Sequence, residues 1–139
     1  MAGTSKEEVC EEDAGSKEDV RVTAEIEGFV SQQAEWGEMN VEIASAPAGL
    51  DSAPLFKGLP DDRCQCPHWG YMVKGRMRIN YADHEEILKA GDAFYMEPGH
   101  TTIVEEDAEL VRFSPKGEYQ KTMEVAGRNF EAMQEHISS

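Results

Sequence analysis

Two cysteines and a histidine stand at alternate positions, Cys64, Cys66 and His68, and a second histidine, His100, follows 32 residues on. Thiolate and imidazole are the usual ligands of zinc and also suit iron or copper. Residues two apart on a strand project to one side. A strand through residues 64–68 would therefore present three ligand atoms together. His100, on a neighbouring strand, could close the set around a single ion, and an open position on that ion would lower the pKa of a bound water. Each residue also has a plainer reading. Free cysteine is among the most buried side chains and packs like a small apolar group, Pro67 could turn the chain inside the cluster, and both histidines could be satisfied by backbone or by Glu97. His84 in a turn and His136 near the end of the chain read as exposed, and Cys10 as a free thiol outside the fold.

The elements that would carry these residues are short strands. Val20, Val22, Ala24 and Ile26 alternate with polar residues, as do Met39, Val41, Ile43 and Ser45, giving two strands with a period of two. Residues 47–60 hold three prolines and two glycines and read as a loop with one or two short turns. From Arg63 to Pro115, short apolar runs are punctuated by turn signals at Lys74-Gly75, Ala82–Glu85, Ala90-Gly91, Pro98-Gly99 and Glu105–Ala108. That rhythm indicates an antiparallel sandwich or barrel. Beyond Ser114-Pro115 the period lengthens: Tyr119, Met123, Ala126, Phe130, Met133 and Ile137 form a helical stripe, with a break expected at Gly127. Along the strands, Met77, Ile79, Phe94, Met96 and Thr102 are candidate pocket residues. Trp69 and Tyr71 fall on the opposite parity, facing outward or into a sheet-to-sheet interface; Arg76, Arg78 and Arg112 could bind a carboxylate substrate in a cavity but read first as solvated on the outer face.

Two segments carry a family resemblance. His68-Trp-Gly-Tyr-Met-Val-Lys-Gly75 resembles the end of the first cupin motif, and Gly91-Asp-Ala-Phe-Tyr-Met-Glu-Pro-Gly-His100 resembles the second. The resemblance covers roughly Arg63 to Pro115 and implies an all-β fold: an antiparallel cupin-type β-barrel, or jelly roll. With the low apolar content of the N-terminal segment and the helical period of the C-terminal one, the chain divides into a disordered acidic tail at 1–17, a barrel at 18–115 and a C-terminal α-helix at 116–139. The resemblance also implies that Cys64, Cys66 and His68 face the barrel interior. The family's usual ligands do not carry over: counting back from Gly75 puts Asp62 and Cys64 at its paired histidine positions and His68 at its glutamate, while its last histidine falls at about Thr102.

The formal net charge of −15 over 139 residues argues against a nucleic-acid backbone or an anionic membrane as partner. Seven acids against two lysines in residues 1–19 supply part of that excess. No apolar run approaches the roughly 20 residues of a membrane span, and the N-terminus lacks the apolar stretch of a secretory signal. The expected protein is thus a cytoplasmic homodimer. Its barrel would hold a small organic ligand, a divalent metal, or both; zinc is the first candidate, with iron or another transition metal behind it. A metal-dependent enzyme and a non-catalytic binding or sensor module, metal-free or holding zinc, both remain open.

Overall fold

The computed structural model describes residues 21–26 and 28–138; the expected acidic tail lies outside them. Among the described residues seven strands form one antiparallel sheet: β1 (Arg21–Ile26), β2 (Phe29–Trp36), β3 (Met39–Ala46), β4 (His68–Asn80), β5 (Glu85–Lys89), β6 (Ala93–Met96) and β7 (Thr101–Pro115). Their order is β1-β2-β3-β7-β4-β5, and β6 pairs with the first half of β4. Two 3-10 turns, Ala53–Phe56 and Pro60–Asp62, lie in the proline-rich loop, as its composition led us to expect. A helix, α1 (Lys116–Ser138), follows β7 without a linker. It runs unbroken through Gly127, because the packing of its inner face outweighs the roughly 1 kcal/mol helix cost of one glycine.

Two of the expected turns are instead bends inside long strands. β4 continues through Lys74-Gly75 and β7 through Glu105–Ala108, with register shifts where the two pair between Met72 and Met77. Gly75 has φ +82°, and a Cβ there would meet the Asp107 carbonyl oxygen at 2.2 Å. A glycine bulge of this kind bends a strand without ending it, which lets β4 and β7 follow a curved sheet. Gly75→Ala combines left-handed strain of about 1–2 kcal/mol with a backbone clash. It is expected to lower the urea midpoint clearly, whereas Gly91→Ala, where no atom lies within 4 Å of the added Cβ, should show the strain alone.

Facing strands share an interior that divides into two ends. One is apolar and packs Ala44, Ala46, Met72, Met77, Ile79, Leu88, Phe94, Met96, Val104, Ala108 and Leu110 together. The other is polar and holds Ser31, Asn40, Glu42, His68, His100 and Ser114, all buried. In β3 the inward parity is Asn40, Glu42, Ala44 and Ala46. α1 covers the polar end: Tyr119 and Ala126 pack with Phe56, Cys64 and Cys66, and Asn129 donates to the carbonyls of Leu55 and Lys57 at 2.7 and 2.8 Å.

Candidate metal centre

Backbone hydrogen bonding sets the cluster before any side chain contributes. Cys64 N–H donates to the His100 carbonyl at 2.8 Å, and Gly99 N–H donates to the Cys64 carbonyl at 2.7 Å. This bridge pins Cys64 opposite His100, just before β7. Gly99, with φ +96°, makes the turn that brings His100 there. β4 begins at His68, so residues 64–67 are not the strand expected from the alternate spacing. Pro67 has no N–H to give a ladder, and the chain turns into β4 after it.

The three donor atoms of Cys64, His68 and His100 lie within 4.8 Å of one another, and each residue is no more than 2% exposed. His68 Nε2 stands 3.6 Å from Cys64 Sγ, while its Nδ1 is 2.6 Å from Ser114 Oγ. His100 Nδ1 is 2.6 Å from the Glu97 carbonyl oxygen. A carbonyl only accepts, so His100 Nδ1 carries the proton and Nε2 keeps its lone pair. The same arrangement at His68 requires Nδ1–H to donate to Ser114. A ring held through one nitrogen with the other turned to the ligand cluster is the usual support for a metal-binding histidine.

The residues fit an ion. Zinc bonds of about 2.0–2.3 Å place tetrahedral ligand atoms roughly 3.5 Å apart; the Cys64–His68 pair already stands at 3.6 Å, and the rest of the cluster, within 4.8 Å, would draw in around an ion. Burial, helped by the nearby Arg112 charge, holds His68 well below its usual pKa. Burial likewise lowers His100 to about 4 against the opposing bond to Glu97. Both rings are therefore neutral and ready to ligate near neutral pH. Burial also raises the Cys64 thiol, so a proton must leave it when a cation arrives.

Cys66 is buried among Phe56, Tyr119 and Ala126, and its thiol donates to the Pro67 carbonyl oxygen at 3.4 Å. Burial and the neighbouring Cys64 push it up to about 12. It stands outside the three-residue cluster. Of the candidate pocket residues, Met77, Ile79, Phe94 and Met96 pack into the apolar end, and Thr102 donates to Ser52 Oγ. Trp69 and Tyr71 face outward as expected.

Arg112 reverses its expected place. It points inward and donates to buried Glu42 through Nε at 2.8 Å and through Nη2. Glu42 also accepts from Ser31 Oγ, and Gln33 donates to Ser31 Oγ and the Tyr119 hydroxyl, each at 2.8 Å. Sequence reasoning passed over Glu42. The available signal was a lone acid on the parity of Ala44 and Ala46, opposite an arginine of comparable position.

The depressed histidines carry a pH consequence for the metal-free protein. The unfolded chain takes up protons below about 6.5 that the folded one refuses until about 4 at His100. Stability is therefore complete above pH 6.5 and declines as pH falls from 6.5 towards 4, by about 1.4 kcal/mol per unit for one such group. Urea titrations at stepped pH should show this slope, and His100→Gln should make it shallower, leaving the part that His68 contributes.

No protein-family model matches the sequence, and no curated protein matches it significantly. Solved structures do resemble it. An RmlC-like cupin from Shewanella frigidimarina aligns with TM-score 0.55 and 16% identity, over 73% of this chain and 88% of that one. KdgF from a Halomonas species aligns at 0.51 and 16%, over 72% and 92%. The iron(II) form of HppE aligns at 0.52 and 11%, over 72% of this chain and 58% of that one. At such identities the likeness speaks for architecture, and together with the bulged antiparallel barrel it establishes that this chain has the cupin fold.

Proposed function

We propose that this protein is a metal-binding cupin that holds one divalent transition ion, zinc in the first place, on Cys64 Sγ, His68 Nε2 and His100 Nε2. The observation that carries this reading is the convergence of those three buried donor atoms within 4.8 Å. Three protein ligands leave a fourth tetrahedral position for water or a small organic ligand. HppE, named with iron(II), supports metal chemistry on this fold in general. The thiol favours zinc here, since a thiolate beside iron and oxygen is itself oxidised. Elemental analysis of protein purified under reducing conditions tests the reading. About one ion per chain, lost in Cys64→Ser, is expected; an empty parent that also fails to take up zinc on reconstitution would sink it.

Burial supports a second reading, a zinc-holding, non-catalytic module. All three ligand residues are at most 2% exposed beneath α1, as in closed structural zinc sites. The homodimer belongs to this reading, supported by the outward patch of Trp69, Tyr71, Val73 and Tyr95, with Trp69 stacked on Tyr95 at 5.1 Å. Catalytic turnover of small molecules by the zinc-loaded protein would favour the first reading over the second.

A further inference from the structure

The polar end of the barrel holds a donor that nothing satisfies. Asn40, 5% exposed, has no partner for its Nδ2, the one such buried side-chain atom among the described residues. A buried N–H left unpaired costs about 1–3 kcal/mol, so a donor kept in this state points to a partner that arrives from outside. Its position in the ladder says where that partner would sit. Asn40 pairs with Ser114, the residue bonded to His68, and Glu42 pairs with Arg112. Paired residues share a face of the sheet. Asn40, Glu42, Arg112, Ser114 and His68 are therefore one interior surface beside the metal cluster.

Charge narrows the chemistry of the visitor. A divalent ion with the Cys64 thiolate leaves one positive charge, and Arg112 and Glu42 cancel each other. Both Glu42 oxygens are already engaged, Oε1 by Arg112 and Oε2 by Ser31, so a ligand that donates would find little to receive it. One negative charge and two acceptor oxygens are what a carboxylate provides. We propose that the polar end of the barrel binds a small monocarboxylate, one oxygen directed to the ion and the other accepting from Asn40 Nδ2. The proposal rests on the metal reading above and assigns Asn40 as a residue that selects the ligand.

The test uses the zinc-loaded, 15N-labelled full chain, with acetate as probe and acetamide as its uncharged counterpart. The expected result is a saturable shift of the Asn40 side-chain NH2 signals with acetate and none with acetamide at equal concentrations. Acetate binding, followed through the His68 ring, should weaken at least tenfold in Asn40→Leu with zinc content unchanged. Asn40→Leu should also stabilise the ligand-free protein, because it removes the orphaned donor; Asn40→Ala provides the same comparison should leucine fail to fit. Equal acetate affinity in parent and variant, or no saturable shift with zinc in place, overturns the proposal and leaves the amide to water. Failure of zinc to load would instead sink the metal reading. The ion-bound carboxylate falls with it: an acetate-dependent shift of Asn40 in the metal-free protein would leave only the Asn40 contact standing, and a motionless Asn40 would overturn that as well.

Discussion

Zinc affinity is expected to collapse in His68→Ala and to survive almost intact in Cys66→Ser, although both residues are buried within two positions of each other. His68 offers Nε2 to the cluster beside Cys64 Sγ. Cys66 directs its thiol to the Pro67 carbonyl and packs under the helix. Ser114→Ala should fall between them. It leaves every ligand in place but removes the group that orients the His68 ring, and losses of that kind run at about 10–100-fold. Competition with a chromophoric zinc chelator reads all three variants on one scale, and His68→Ala should exceed the Ser114→Ala loss. Loss of zinc in Cys66→Ser equal to that in His68→Ala would mean that the ion sits on different atoms.

The largest effect on stability is expected at Glu42. Its carboxylate is 2% exposed and takes hydrogen bonds from Arg112 and Ser31. Burial works against the Arg112 charge, yet the Glu42 carboxylate beside it keeps its pKa above the ordinary value. Arg112 stays charged even when its partner is removed, because a guanidinium is too basic to give up its proton inside a protein. Glu42→Ala strands that charge among Tyr119, Cys64 and the histidines. Breaking a buried pair in this way costs about 3–5 kcal/mol. Replacing both partners, as in Glu42→Leu with Arg112→Met, should recover most of that loss, because no unpaired charge remains. Denaturant unfolding of the two single variants and the double variant measures the difference. A Glu42→Ala protein within about 1 kcal/mol of the parent would show the pair to be idle.

The barrel was legible because turn chemistry is local. The alternation at Met39–Ala46 marks β3 to the residue, and the glycine turns at Gly91 and Gly99 fall where they were read, with φ +95° and +96°. β2 was not visible. Its inward residues Ser31 and Gln33 are polar, so Phe29–Trp36 shows no apolar period. In β3 the apolar alternation runs through Met39, Val41 and Ile43, while the parity that lines the polar end carries Asn40 and Glu42; a polar interior inverts the signal on which strand reading depends. The ligand residues were found from their types and spacing, but the route to convergence differed. Cys64 reaches the histidines through its bridge to His100 and not as part of a strand, and no local pattern announces a pairing 36 residues apart. Arg112 was misplaced for the same reason: only its distant partner Glu42 makes the interior tolerable for it.

The direct join of β7 to α1 has a kinetic meaning. Ser114 braces His68, and five residues later Tyr119 already lies over the polar end. No slack separates the strand that supports the centre from the helix that roofs it. Exchange of a ligand through that end would require the helix to lift from Phe56, Cys64 and Cys66. Residence time would then be governed by how often the Asn129 bonds and the Phe56 contacts let go, and not by the strength of the bonds at the centre.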